Sequence, residues 1–158
     1  MRYTNLGYLI RENEILLAMK KRGFGAGKLN GFGGKVEKGE RIEYALIREA
    51  EEEVGIVADE SDLEKVAEIH FAFESKSDWK QTVHVFFLKK WRGEPQASEE
   101  MKPVWVPLDK IPYSKMWIDD IHWMPLVLEG KKVKADFLFS NDGSEIKRQS
   151  VKTIPSFS

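Results

Sequence analysis

Apolar and polar positions fall in blocks along this chain, and the blocks mark out its elements. Tyr3 to Ile10 and Ile15 to Met19 are apolar stretches separated by the polar Arg11–Glu14, which predicts two strands joined by a tight connection. The run KKRGFGAGKLNGFGGK that follows carries Gly23, Gly25, Gly27, Gly31, Gly33 and Gly34. It predicts a loop whose backbone is free for positive φ or close approach. Arg41 to Val54 contains neither Gly nor Pro and is rich in Glu, Ala, Leu and Arg, so it predicts a helix, with Gly55 as its C-terminal cap. Leu63–Phe73 and Thr82–Lys90 read as strands, and in the second Val83, Val85 and Phe87 alternate with His84, Phe86 and Leu88, so both faces are partly covered. Val104–Val106 is a short strand before Pro107. Asp119 or Asp120 caps a second helix that runs to about Glu129 and ends at Gly130; Pro125 inside it predicts a kink or a later start. Val133–Ser140 and Ile146–Ile154 form a last hairpin around Asn141-Asp142-Gly143. Strands, helix, strands, helix, strands, without regular βαβ alternation, predict an α+β fold: a mixed sheet flanked by helices.

Composition narrows the classes. The 158 residues suit one domain, spanning 1–158, with a core of its own. Lys and Arg total 25 against 26 Asp and Glu, a net charge of −1, which argues against a nucleic-acid polymer or a membrane surface as partner. The absence of cysteine excludes disulfides, zinc–thiolate sites and a thiol nucleophile. No apolar run approaches a spanning helix, and the first ten residues do not read as a signal peptide. The expectation is a soluble, cytoplasmic monomer.

The charge is uneven, however. Between Glu37 and Glu60 there are nine acids and three bases, while Lys20-Lys21-Arg22 upstream is wholly basic. On the predicted helix Glu49, Glu52 and Glu53 share one face, and Ile42, Ala45 and Leu46 lie at nearly the same azimuth one to two turns earlier. The apolar stripe therefore runs into the carboxylates, where an ordinary solvated face would oppose it. Acids clustered at a core border repel one another and lose hydration. A hard divalent cation would offset that, and so in part would Arg48 through a bidentate pair. Helix geometry alone also fits an acidic helix laced by pairs such as Arg48–Glu52.

The spacing decides between these. Gly34, five residues, Glu40, seven residues, then Arg48-Glu49-Ala50-x-Glu52-Glu53-x-Gly55-Ile56 resembles the Nudix box, with Ala50 smaller than the usual aliphatic residue. Its fixed positions would match by chance in roughly one of 10⁸ windows. The resemblance implies the Nudix fold, a mixed sheet sandwiched between helices with a loop–helix–loop that binds divalent metal, Mg²⁺ or Mn²⁺, over a pyrophosphate. It implies Glu49 and Glu53 as prime metal ligands, Glu52 as a further ligand or close neighbour, the Gly33 carbonyl as another ligand, and Arg48 as the residue that orients a glutamate.

The resemblance extends over Met19–Val36, Val83–Phe87 and Glu99–Leu126, which are similar to the branch of the family that hydrolyses oxidised purine nucleoside triphosphates such as 8-oxo-dGTP. That implies a nucleoside triphosphate as the small-molecule partner. It also implies a purine pocket in which Asn30, Asp119 and Asp120 meet the base edges and Trp117 stacks. Phe24, Phe71, Phe73 and Trp123 would line the pocket, Thr4 and Lys20 would stand at the base and sugar end, and Glu100 would be a metal ligand or general base. Two enclosed neighbouring aspartates should share a proton, so that one donates and the other accepts. A plain helix cap is the simpler reading of Asp119-Asp120, and core packing that of the aromatics. His70, His84 and His122 lack metal spacing and take no role. Leu29, Gln81 and a longer loop over 74–81 depart from that branch and bear on base preference. Alternatives are another nucleotide (dGTP, a nucleotide sugar or an RNA 5′ end) and a non-catalytic nucleotide sensor, against which the intact glutamates argue.

Overall fold

The computed structural model describes residues 2–23 and 26–157. Its strands are β1 (Arg2–Arg11), β2 (Glu14–Lys20), β3 (Leu29–Asn30), β4 (Leu63–Phe73), β5 (Gln81–Leu88), β6 (Met101–Pro107), β7 (Lys132–Phe139) and β8 (Ile146–Ile154). Its α-helices are α1 (Ile42–Val54) and α2 (Asp120–Leu128), and short 3₁₀ turns join several elements. The sheet order is β3-β2-β1-β5-β4-β7-β8, with β6 also paired to β2. β1–β5 and β4–β7 are parallel and the other pairs antiparallel, so the sheet is mixed.

The first hairpin forms only at its tip. Ile10 pairs with Ile15 and Arg11 with Glu14, with Glu12 at φ 53° in the two-residue turn. Beyond that the strands part: β1 follows β5 along its length, while β2 follows β6 from Glu14↔Pro107 to Lys20↔Met101. A backbone edge opened in this way must find partners, and the segment 32–36 supplies them. Gly7 and Phe32 exchange backbone bonds of 2.7 and 3.0 Å, and the Asn5 and Val36 N–H groups donate to Gly34 and Tyr3 at 2.9 Å. The fork between β1 and β2 thus lays the glycine loop against β1.

The helices cover opposite faces. α1 buries Leu46, Ala50 and Val54 against Leu9, Leu16, Phe32, Phe86 and Leu88. α2 buries Trp123, Met124 and Val127 among Tyr8, Leu17, Val85, Val133 and Phe137. Each large side chain so buried contributes roughly 1.5–3 kcal/mol. β5 serves both cores, as its double alternation predicts.

Several boundaries differ from expectation. β6 begins at Met101, not Val104, because all of β2 is available to pair with it. β3 arises inside the glycine loop, where two residues are too few to leave a pattern. α2 starts at Asp120 and runs through Pro125; the bond forgone is to the carbonyl of Ile121, whose side chain is exposed. Asp119 occupies the N-cap position but makes no side-chain capping bond, so its carboxylate is spent elsewhere. Among the described residues no helix is long and apolar enough to cross a membrane.

Candidate active site

The acidic end is built by α1 and the glycine loop. Asn5, buried in β1, ties the two together: its Nδ2 donates to the Ile42 carbonyl at 3.1 Å and its Oδ1 accepts the Gly34 N–H at 2.9 Å. Gly33 has φ 143°, and a side chain there would strike the carbonyl of Asn5. At Gly34 a Cβ would lie 3.3 Å from Glu49 Oε1, so the bare backbone is what lets the carboxylate reach the loop. α1 ends on Gly55 at φ 73°, whose N–H returns to the Glu51 carbonyl.

Of the three glutamates, α1 turns two toward the loop. The Glu49 side chain is 17% exposed and Glu53 is buried, whereas Glu52 is 58% exposed. Arg48 organises the outer side. Its Nε and one Nη reach the two oxygens of Glu40 at 3.0 and 3.2 Å, and its other Nη reaches Glu49 at 3.1 Å and Glu52 at 3.5 Å. The pairing holds the Glu40 carboxyl below its ordinary range. Glu53 goes the other way. Burial, then a hydrogen bond and repulsion from Glu49, push it up to about 9, against a backbone hydrogen bond from Gly33. Its Oε2 is buried with no partner.

A cavity of about 350 Å³ opens beside this rim and is lined by Gly33 and Gly34. Thr4, Lys20, Asn30, Phe71, Phe73, Trp117, Asp119, Asp120 and Trp123 all line it, so the fold gathers these sequence-predicted positions from five elements and the loop that enters α2. Phe24 lies outside the described residues. Asn30 spends its carbonyl end on the Tyr8 hydroxyl at 3.0 Å and the Gly31 N–H at 2.9 Å, leaving its NH₂ to donate to a ligand. The Trp123 indole N–H donates to Asp119 Oδ2 at 2.9 Å, which is where the capping oxygen has gone. Asp119 and Asp120 are both buried. Burial raises both, and Asp120 rises well above its ordinary value because Asp119 repels it and accepts its proton. Asp120 Oδ2 has no partner. Lys28 sits 5.3 Å from the Trp117 ring centre.

The NUDIX domain matches residues 2–127. The chain belongs to the Nudix family. Over 99% of its length it is 43% identical to the oxidized purine nucleoside triphosphate hydrolase of Mus musculus, covering 97% of that protein. Over 83% it is 48% identical to the protein of the same name in Danio rerio, covering 82% of it. The crystal structure of a MutT protein from Bacillus halodurans superposes with a TM-score of 0.83 at 23% identity, covering 96% of this chain and 98% of that one, which shows a shared fold.

Nudix hydrolases need divalent cations, and the residues of this Nudix loop–helix–loop fit one. Among the described residues no three His, Asp or Glu side chains are gathered into a ready cage. Glu49 and Glu53 supply two adjoining carboxylates, one with an orphaned buried oxygen. Small hard cations are commonly bound in just this way, by one or two carboxylates with waters and substrate phosphates completing the shell. Glu100 stands apart. Its charge is felt at Glu53, but its carboxylate is paired with Arg22 at 2.8 Å and held low by it.

Sequence reasoning missed four supports of this Nudix site. Glu40 was visible in the motif, but not that it takes the Arg48 fork. Asn5 leaves a trace, a single amide within an apolar strand. Tyr8 and Phe139 leave none, since a buried aromatic in a strand reads as core.

Proposed function

We propose that this protein hydrolyses oxidised purine nucleoside triphosphates, 8-oxo-dGTP among them, to the nucleoside monophosphate and pyrophosphate. It acts as a monomer in the cytoplasm and clears damaged precursors from the nucleotide pool. The observation that carries the reading is one cavity that joins Asn30, Trp117, Asp119 and Asp120 to the Gly33–Gly34 rim of the Glu49–Glu53 pair. The likeness to the fish and mouse oxidized purine nucleoside triphosphate hydrolases supports it.

In this reading Trp117 stacks on the base, the Asn30 NH₂ donates to it, and the aspartate pair offers one acceptor and one donor. An 8-oxo purine differs from its parent by a C8 carbonyl and a proton on N7. A pair that shares a proton can exchange roles to suit different oxidised bases. Thr4 and Lys20 stand at the base and sugar end, and Phe71, Phe73 and Trp123 close the pocket. The bare backbone of Gly33 and Gly34 lets the phosphates approach. Glu49, Glu53 and the Gly33 carbonyl would hold Mg²⁺ or Mn²⁺, which would supply positive charge to the phosphate oxygens and lower the pKa of the attacking water. Arg48 keeps Glu49 in position, while Glu52, exposed beside Arg48, and Glu100, paired with Arg22, add negative charge at the outer edge of the acidic set.

The test is kcat/KM for 8-oxo-dGTP, 2-oxo-dATP, dGTP and GTP at matched concentrations with and without Mg²⁺. The oxidised nucleotides should lead, and pyrophosphate release should vanish without metal. A lead by dGTP or GTP would refute the base assignment and leave the catalytic one standing.

A further inference from the structure

The loop between β4 and β5 carries a feature that the proposed function leaves unused. Trp79 ends a single 3₁₀ turn over Ser77–Trp79, lines the cavity with Phe73, Gln81 and Phe139, and is 41% exposed. An indole that wet contributes little to the core, since the hydrophobic gain follows the area removed from water. Yet it is held firmly. It forms a T-shaped pair with Phe73 at 5.4 Å between ring centres and an interplanar angle of 83°, and Phe73 in turn lies 5.5 Å from Phe139. The Lys76 ammonium sits 3.9 Å from its ring centre. Its backbone N–H returns to the Lys76 carbonyl at 3.0 Å.

The loop itself is pinned to the β7–β8 turn. Ser75 N–H donates to Asn141 Oδ1 at 2.9 Å, Asn141 Nδ2 donates back to Ser75 Oγ at 2.5 Å, and Glu74 N–H donates to the Phe139 carbonyl. That turn is braced by Asp142, whose Oδ1 takes donors from Ser140 and Ser144 and whose carboxyl is pulled down to about 2. Asn141, Asp142 and Gly143 line the same cavity. A rigid, water-exposed tryptophan at the mouth of an aromatic cavity has its order in place before any ligand arrives, so a ligand that covers it gains contact at small entropic cost.

We propose that Trp79 is a specificity-determining wall of the base pocket, a second tryptophan besides Trp117, which covers the purine ring system of the bound nucleotide. The inference rests on the purine-triphosphate reading. It assigns Trp79 to ground-state binding of a two-ring base, with no part in the chemistry at the phosphates. A single-ring pyrimidine, smaller and anchored by the same aspartates, gains less from it.

The experiment compares wild type with Trp79→Ala, Trp79→Phe and the neighbouring control Asp78→Ala. It measures kcat and KM for 8-oxo-dGTP and for 5-hydroxy-dCTP, and calorimetric binding of 8-oxo-dGMP without metal. Base–aromatic stacking is worth on the order of tenfold in affinity. W79A should therefore raise KM for 8-oxo-dGTP about tenfold and weaken 8-oxo-dGMP binding to match. It should leave kcat within about twofold and affect the pyrimidine less. W79F should restore most of the affinity, and D78A should match wild type. A purely structural tryptophan would lower kcat and thermal stability together, and that result, or an unchanged KM, overturns the inference alone. Wild-type protein that neither binds 8-oxo-dGMP nor hydrolyses 8-oxo-dGTP overturns the purine reading and this inference with it.

Discussion

Two pairs of neighbouring acids serve one cavity, and the fold treats them differently. Glu49 and Glu53 lie against the Gly33–Gly34 backbone, and Arg48 holds Glu49 from the outer side. Asp119 and Asp120 lie in the wall, with Trp123 donating to one and the Tyr8 phenol, itself pushed up by burial and by both aspartates, close by. Each pair shows the same symptoms: burial, a raised carboxyl and one oxygen without a partner. The remedies differ. At the glutamates the neighbours are bare backbone and a guanidinium, and the phosphates of a nucleotide can complete the coordination of a cation. At the aspartates the neighbours are aromatic rings, and a shared proton is the cheaper answer. The lesson is that two buried carboxylate pairs with the same symptoms meet chemically different surroundings, backbone and guanidinium at one and aromatic rings at the other.

The hardest blow to this comparison falls on the glutamates. Converting Glu53 to Gln removes the cation's charge partner and should cut kcat on the order of 10³-fold. The metal-free variant should melt no lower than wild type, because a neutral amide no longer resists burial. Near-native turnover would show that the pair is not the metal site. Smaller, and confined to KM, is the effect at the other pair. Asp119→Asn replaces a carboxylate oxygen that can accept with a donor and should raise KM for 8-oxo-dGTP on the order of 10²-fold. Asp120→Asn keeps a donor and should cost far less, but it freezes the exchange of roles and so shifts the ratio of 8-oxo-dGTP to 2-oxo-dATP hydrolysis. An unchanged ratio in both variants would sink the shared-proton account.

The smallest effect reads the glutamate pair by pH. A carboxyl raised by folding contributes stability that is full below its unfolded value and is lost as pH rises through its folded value. For Glu53, raised to about 9, that loss reaches far into the alkaline range. His84, pushed down by burial and by Lys65, acts in the opposite sense and below its ordinary value of 6.5. Between pH 6.5 and 9 the metal-free protein should therefore lose stability as pH rises, read as a falling urea midpoint. Saturating Mg²⁺, which takes the charged form, should remove the share owed to Glu53. A slope that Mg²⁺ leaves intact would mean that Glu53 does not meet the cation.

Much of the catalytic helix was legible in the chain. The apolar stripe that runs into Glu49 and Glu53, and the spacing from Gly34 to Gly55, are local properties. Glu52 shows the boundary: at 100° per residue it shares the acidic face, and only the position of the glycine loop over α1 turns Glu49 and Glu53 inward and leaves Glu52 in water. The pocket was legible as residue identities, but the simplest reading of Asp119, a cap, gave way because the Trp123 indole one turn on offered a buried carboxylate a better partner. The parting of β1 from β2 after two residue pairs left no local signal. Its cause is competition from β5 and β6, which lie more than sixty residues away in the chain.

By itself the sequence determined the element types, the two-faced burial of β5, the acidic helix and the residue set from which a Nudix site is made. These follow from periodicity, from backbone freedom at glycine and from charge, all of which act over a few residues. Tertiary structure decided which carboxylates meet, which oxygens are left without partners and which carboxyls are pushed up. It also set a tryptophan from an irregular loop in the wall of the cavity. Those outcomes depend on burial and on neighbours brought from distant strands, and a carboxyl group's charge is settled only when its surroundings are.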